Sequence, residues 1–394
     1  MTVASDALLP VYARAPVTFV AGNGCELIDD TGRRYLDFLA GLAVCALGHA
    51  HPAIAEAVAN QARTLVHASN LYGHEPAATL ARELAGRSGM RGVFFCNSGA
   101  ESNEAAIKLA RKAAYRRGEL QRTTIVACEG AFHGRTFAAL AATANPAYRV
   151  GFGPLPEAFT FTPFNDARAL ETAIDETTAA FLVEPVQGEG GVRVADAAFL
   201  ERARELCDER GALLVFDEVQ CGAGRLGPLF AFEKFDVKPD VVTMAKGLAN
   251  GLPIGALIAG GRAAAGFAPG DHGSTFGGSP VPCAAALAHL RVRDELQLEQ
   301  RVDERSAQLF EALHAVASER PDVFDAPRGL GLLAGLPVRV PYAASDLCDA
   351  ARERGLIVGT AAGNVVRFAP PLIVSQDEIA HAMALFAAAP LGMG

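Results

Sequence analysis

No run of apolar residues in this chain approaches the ~20 that a membrane-spanning helix requires, so no membrane span is predicted. Basic clusters are equally scarce. Lys and Arg number 35 against 44 Asp and Glu, a net charge of −9, and no segment resembles the basic stripe that a phosphate backbone demands. Nucleic acid is therefore not an expected partner. The first six residues, Met-Thr-Val-Ala-Ser-Asp, lack a basic region followed by an apolar stretch, which reads as an unprocessed N-terminus. The eight cysteines include no C-x-x-C pair and lie mostly in apolar runs, which predicts reduced thiols and a cytoplasmic protein rather than a disulfide frame or a zinc site. His49 and His51 have no acidic or cysteine residue at a matching interval, so they are read as turn and helix-start residues and no metal is expected. Ser98 lacks a G-x-S-x-G elbow and neither Cys96 nor Cys221 has an evident base, which leaves hydrolase and thiol-protease readings with little support.

What is present is length and apolar content: 394 residues, 51% of them hydrophobic, enough for a large domain and a smaller one. From about residue 50 to 290, short apolar runs alternate with helix-period segments, the pattern of an α/β protein with a mainly parallel sheet. Strands are predicted at Gly92–Cys96, Thr123–Cys128, Ala180–Glu184, Ala212–Asp217, Val241–Met244 and Ala256–Ala259. Glu101–Arg117 and Phe199–Arg210 carry apolar residues three and four apart and are predicted to be covering helices. The division expected is an N-terminal segment (1–48) that packs with the small domain, a large domain (49–285) and a small α+β domain (286–394).

In an open parallel sheet the ligand crevice lies at the carboxyl ends of the strands, so polar residues just after an apolar run are the ones to weigh. Asn97-Ser-Gly-Ala-Glu101 follows the first predicted strand and opens a helix, which suits a phosphate, although Ser98 and Glu101 also fit an ordinary capping box. The run 212–216 ends in Asp217, a carboxylate whose burial needs a cation such as a protonated pyridine nitrogen; capping a local turn is the plainer role. Val241–Ala245 delivers Lys246, placed either to form an imine with a lowered pKa or simply to reach solvent. Gly222-Ala-Gly224-Arg-Leu-Gly227 matches the dinucleotide fingerprint G-x-G-x-x-G, but Pro228 follows at once and no helical period continues. An NAD-dependent oxidoreductase stays as a remote alternative on that motif.

With Asn97–Glu101, Asp217-Glu-Val-Gln220 and Lys246 in this order, the chain resembles the class III aminotransferases, most closely the acetylornithine group. The likeness begins at Tyr12-Ala-Arg14, runs through Gly41–Val44, Leu47–Pro52 and Ser69–Tyr72, and reaches Arg367–Pro370. It implies an aspartate-aminotransferase-like fold (PLP fold type I) in a homodimer with interface active sites, and pyridoxal 5′-phosphate (PLP) as cofactor. By that resemblance Lys246 joins the cofactor, Asp217 pairs with the ring nitrogen, and Ser98, Gly99 and Ala100 hold the phosphate. Phe132 stacks on the ring, Val219 covers its other face, Gln220 bonds the ring hydroxyl, and Thr275 reaches the phosphate of the neighbouring subunit's cofactor.

For substrates, the resemblance implies transfer of the δ-amino group of N2-acetylornithine to 2-oxoglutarate in arginine biosynthesis. Arg135 would clamp the distal carboxylate of both, Arg367 the α-carboxylate of 2-oxoglutarate, and Glu189 would neutralise Arg367 while the donor is bound. Ser274 is a further substrate contact, and Glu184 orders the strand end beside the cofactor. The residues do not separate an acetyl from a succinyl donor, and succinyl-diaminopimelate, ornithine and 4-aminobutyrate remain alternative substrates. Ser279 and Pro282 depart from the family pattern, and an altered loop around Thr275 is expected there.

Overall fold

The computed structural model describes residues 7–389, so the reading of the first six residues lies outside it. Three short strands open the chain as an antiparallel meander: β1 (Phe19–Asn23), β2 (Glu26–Asp29) and β3 (Arg34–Asp37). The central sheet then takes β4 (Gly92–Cys96), β5 (Thr124–Cys128), β6 (Phe159–Thr162) and β7 (Thr178–Val183). A hairpin of β8 (Val186–Gln187) and β9 (Arg193–Val194) interrupts it before β10 (Leu213–Asp217), β11 (Val241–Met244) and β12 (Gly255–Ala259) complete it. The seven strands lie in the order β4-β12-β11-β10-β7-β5-β6. All six residues of β7 are buried, as a strand covered on both faces requires.

One face of the sheet is covered by the helix Gly99–Arg116, whose Ala106, Leu109, Ala110 and Ala113 pack with Ile125, Leu182, Leu213 and Val215. On the other face the helix Ala197–Arg210 sets Phe199, Ala203 and Leu206 in the cluster that holds Phe181, Leu214 and Phe216. Both helices start two residues before the positions expected, because Ser98 and Asp196 are the N-caps.

Toward the C-terminus, β13 (Arg328–Leu330), β14 (Leu333–Pro337), β15 (Leu356–Ile357), β16 (Gly359–Ala361) and β17 (Val365–Phe368) follow two long helices. Four of them form a sheet in the order β13-β14-β17-β16, while β15 pairs in parallel with β3, Leu356 opposite Leu36.

Two features of the central sheet differ from the sequence expectation. β12 runs antiparallel to both β11 and β4, because the ten residues between β11 and β12 contain no crossover helix to reverse the chain. β6 was not foreseen: Phe-Thr-Phe-Thr is short, stands at the sheet edge, and is followed by Pro163, which weakens the strand signal. The Gly222–Gly227 motif runs through turns and Ala231–Lys234 is a short 3-10 helix, so no continuing helix follows the third glycine.

Candidate active site

Polar residues converge where β4, β5, β7, β10 and β11 end. A cavity of about 370 Å³ there is lined by Asn97–Ala100, Phe132–Arg135, Glu184, Asp217, Val219, Gln220 and Lys246, with Val44 and Leu252 among its apolar walls. That volume lies within the usual range for a small-molecule site. The structure thus brings nine predicted residues to one place: Ser98, Gly99, Ala100, Phe132, Arg135, Asp217, Val219, Gln220 and Lys246.

At the end of β4 the capping reading and the anion reading coexist. Ser98 Oγ accepts the amide of Glu101 at 3.2 Å, and the Glu101 carboxylate reaches back to Asn97, accepting its backbone amide at 2.5 Å and Nδ2 at 3.0 Å. The cap is therefore shifted by one residue from the simple S-x-x-E box. Among the described residues the amides of Gly99 and Ala100 have no protein acceptor, and they stand at the positive end of an 18-residue helix. A side chain at Gly99 would put Cβ 2.5 Å from Val219, so glycine lets this loop approach the wall opposite.

Asp217 is 3% exposed and its two oxygens have separate duties. Oδ2 accepts Asn103 Nδ2 at 2.7 Å and lies 2.7 Å from His133 Nδ1. Oδ1 accepts the Val219 amide at 3.0 Å. Asn103 is oriented in turn by Thr243 Oγ1, which donates to its Oδ1 at 2.7 Å, and by His133 O, which accepts from its Nδ2 at 2.8 Å. Glu184 Oε2 accepts the Phe132 amide at 3.1 Å, so the carboxylate at the end of β7 does order the loop that carries Phe132 and Arg135. Burial, with the Asp217 charge adding to it, holds the Glu184 carboxyl well above the usual range.

Lys246 follows β11 with left-handed backbone, φ 41°, a geometry that non-glycine residues keep only where surroundings impose it. Burial lowers the pKa of its amine and Arg367 acts in the same sense, while Glu189, Asp217 and Glu184 oppose them. A depressed pKa is what an imine-forming amine needs.

The two arginines differ in state. Arg367, from β17, is 2% exposed and pairs with Glu189; its Nη1 also donates to Gln220 Oε1 at 3.1 Å. Burial works to raise the Glu189 carboxyl, but the Arg367 and Lys246 charges and a bond from Gln220 hold it below its ordinary value. Arg135 is exposed, lies 3.8 Å over the Tyr148 ring, and has no carboxylate partner among the described residues. Phe132 meets the same Tyr148 edge-on at 5.9 Å.

Ser274 and Thr275 stand apart from this wall. Ser274 Oγ accepts Asn97 Nδ2 at 3.2 Å, whereas Thr275 and Phe276 are exposed on a loop whose Ser274 and Gly277 carbonyls are both held by Asn70 Nδ2. Ser279 and Pro282 both fit the local backbone. Ser279 Oγ donates to Phe276 O at 2.7 Å, and Pro282 falls in the first turn of the helix Pro280–Glu295, where its missing amide has no bond to lose. His51 caps the helix Pro52–Thr64, as expected, while His49 is more than a turn residue: its Nε2 lies 2.7 Å from Asp37 Oδ2.

Sequence reasoning missed Asn103 and His133. The available signal was a polar residue on the buried face of an alanine-rich helix, and a histidine beside a residue already singled out.

These residues fit PLP. Unsatisfied amides at a helix N-terminus suit its phosphate, and Asp217 and Lys246 both line a cavity of suitable size, the amine of Lys246 with its pKa lowered by desolvation. The family model described as Aminotransferase class-III matches residues 10–389. The acetylornithine aminotransferase of Methanocaldococcus jannaschii is 45% identical over 371 residues, covering 94% of this chain and 92% of that protein. That of Gloeobacter violaceus is 48% identical over 378 residues, covering 96% and 94%. Among solved structures, the ornithine aminotransferase from Toxoplasma gondii ME49 superposes with a TM-score of 0.94 at 34% identity, covering 97% of this chain and 92% of that one. The N-acetylornithine aminotransferase from Stenotrophomonas maltophilia K279a gives 0.84 at 38% identity, covering 96% of each. The chain belongs to the class III aminotransferases, enzymes that transfer amino groups with pyridoxal 5′-phosphate.

Proposed function

We propose that this enzyme transfers the δ-amino group of N2-acetyl-L-ornithine to 2-oxoglutarate, giving N-acetyl-L-glutamate 5-semialdehyde and L-glutamate for arginine biosynthesis. The observation that carries the reading is the unequal state of the two arginines. Arg135, exposed and without a carboxylate, is free to clamp the distal carboxylate of either substrate through its planar fork. Arg367 is already neutralised by Glu189, which suits a donor whose reacting end carries no carboxylate. When 2-oxoglutarate enters, Glu189 gives way and Arg367 receives the α-carboxylate.

Ser98, Gly99 and Ala100 would hold the cofactor phosphate, Phe132 and Val219 the two faces of the ring, Gln220 the ring hydroxyl, and Asp217 the protonated ring nitrogen. When bound, PLP supplies the electron sink for the charge left at the donor's Cδ. Lys246 would hold the cofactor in the resting enzyme, and its Nζ, with a lowered pKa, would be the base that takes the proton from the donor's Cδ. Asn103, His133 and the Val219 amide all meet the Asp217 oxygens and so hold that carboxylate in place for the ring nitrogen. The acyl group keeps the α-nitrogen uncharged, so the donor brings one carboxylate and one reacting amine to the cavity.

The active unit is proposed to be a cytoplasmic homodimer. Leu71, Tyr72 and Phe276, each more than 60% exposed, support this, since they flank the loop that would carry Ser274 and Thr275 toward a second copy. Incubation with N2-acetylornithine and 2-oxoglutarate is expected to yield glutamate and the semialdehyde in equal amounts, with parallel double-reciprocal plots. Formation of neither product from this donor would remove the reading.

A further inference from the structure

Between Met244 and Gly251 the backbone departs from what its side chains prefer. Ala245 lies outside both the helical and the strand regions (φ −166°, ψ −136°), and Lys246 (φ 41°) and Asn250 (φ 47°), neither of them glycine, both take the left-handed conformation at the two ends of a short 3-10 turn. Asparagine tolerates that conformation better than most residues, which accounts for its backbone. It does not account for its side chain. Asn250 is 9% exposed; its Oδ1 accepts the amide of Leu47 at 2.7 Å and its Nδ2 donates to Gly48 O at 3.0 Å, contacts made across 203 and 202 residues.

The backbone that Asn250 grips is itself fixed. Ala46 O accepts the amide of Leu372, four residues beyond Phe368 in β17, at 2.7 Å. His49 and Gly24 exchange backbone bonds at 2.8 and 3.0 Å, and a Cβ on Gly48 would lie 2.4 Å from Gly24 O. On the other side of the turn, His289 Nδ1 meets Leu248 O at 3.1 Å; burial brings that imidazole down to about 4, so it is a neutral donor. A Cβ on Gly247 would stand 3.3 Å from Ala223 and 3.4 Å from Ala46. The lysine turn is therefore seated between two rigid walls, and the side-chain amide of Asn250 joins it to one of them.

We propose that Asn250 is a positioning residue for Lys246: its amide locks the far end of the lysine turn onto Leu47 and Gly48 and so sets where Nζ enters the cavity. The proposal rests on Lys246 being the lysine that joins the cofactor. Asn250→Gly keeps the left-handed backbone and removes both side-chain bonds, which separates the two roles. In purified holoprotein, the visible absorbance band of the lysine-linked cofactor is titrated against pH, and kcat and KM are measured for donor and acceptor. The expected result for Asn250→Gly is a shift of the titration midpoint by about half a unit or more, and a fall in kcat of roughly ten- to a hundredfold with little change in KM, as for a misplaced reacting group. A wild-type midpoint and kcat would overturn the proposal, since backbone tolerance would then be all that Asn250 contributes. Asn250→Asp keeps the acceptor for the Leu47 amide but sets a carboxylate against Gly48 O; a midpoint unchanged in this variant would also contradict it. Lys246→Ala is the control for the underlying assignment, because retention of the lysine-linked band there would overturn both.

Discussion

Two arginines within one site make opposite demands on the donor half-reaction, and single substitutions separate them. Arg135→Ala removes the clamp proposed for both substrates, so kcat/KM is expected to fall for N2-acetylornithine and for 2-oxoglutarate alike; a loss confined to one substrate would show that the clamp is not shared. Glu189→Gln leaves Arg367, 2% exposed, without its counter-charge while the donor is bound. Its expected effect is a fall of roughly tenfold, about 1.4 kcal/mol, in kcat/KM for the donor, with that for 2-oxoglutarate preserved. Equal losses on both sides would mean that Glu189 does not gate Arg367. At this scale the sequence was informative wherever a chemical group stood at a strand end, as Asp217 and Lys246 do. It was silent on Asn103 and His133, which meet Asp217, and on Thr243, which orients Asn103, because only the closed sheet brings these three segments together.

Among the elements, the turn ahead of Val44 holds the most backbone strain: Ala40, Gly41, Leu42 and Ala43 are all left-handed, with φ between 48° and 68°. Left-handed geometry costs about 1–2 kcal/mol at each non-glycine residue, so a counterweight is needed. Asp37 supplies it. Its Oδ1 accepts the amides of Leu39 and Ala40 at 3.0 and 2.8 Å, and its Oδ2 meets His49 Nε2 at 2.7 Å. Val44, next in the chain, is part of the cavity wall, so the clasp acts on the site through the turn. The hydrogen bond to Asp37, aided by Cys45, raises the His49 imidazole from 6.5 to about 9. A raised folded-state pKa means that the folded chain keeps a proton the unfolded chain releases. The stabilisation is complete below 6.5 and is lost as pH rises through about 9. Denaturant unfolding is expected to show a loss of about 2–3 kcal/mol across that window, absent in His49→Asn. A wild-type profile as flat as that of the variant would contradict the clasp. None of this was legible in the chain, where His49 reads as a turn residue, because Asp37 lies twelve positions earlier, at the end of β3. The strands of the central sheet were mostly legible; the antiparallel direction of β12 was not, since apolar content carries no direction.

For the whole molecule, the proposed dimer makes a prediction that one chain alone cannot satisfy. If Thr275 completes the partner's phosphate site, a heterodimer of Lys246→Ala with Thr275→Ala contains one site with both native residues. Mixing the two variants under subunit exchange is expected to restore activity that neither homodimer has, and absence of restoration would place Thr275 outside the partner's site. The central claim concerns the donor, which lies at the end of the chain of inference from sheet to cavity to arginine pair. It is tested most directly by the single-turnover loss of the visible absorbance of the holoprotein on mixing with N2-acetylornithine, N-succinylornithine, ornithine or 4-aminobutyrate. The account predicts the largest rate constant divided by apparent dissociation constant for N2-acetylornithine, with ornithine and 4-aminobutyrate far slower; preference for any other of these amines, or no loss with N2-acetylornithine, would contradict it.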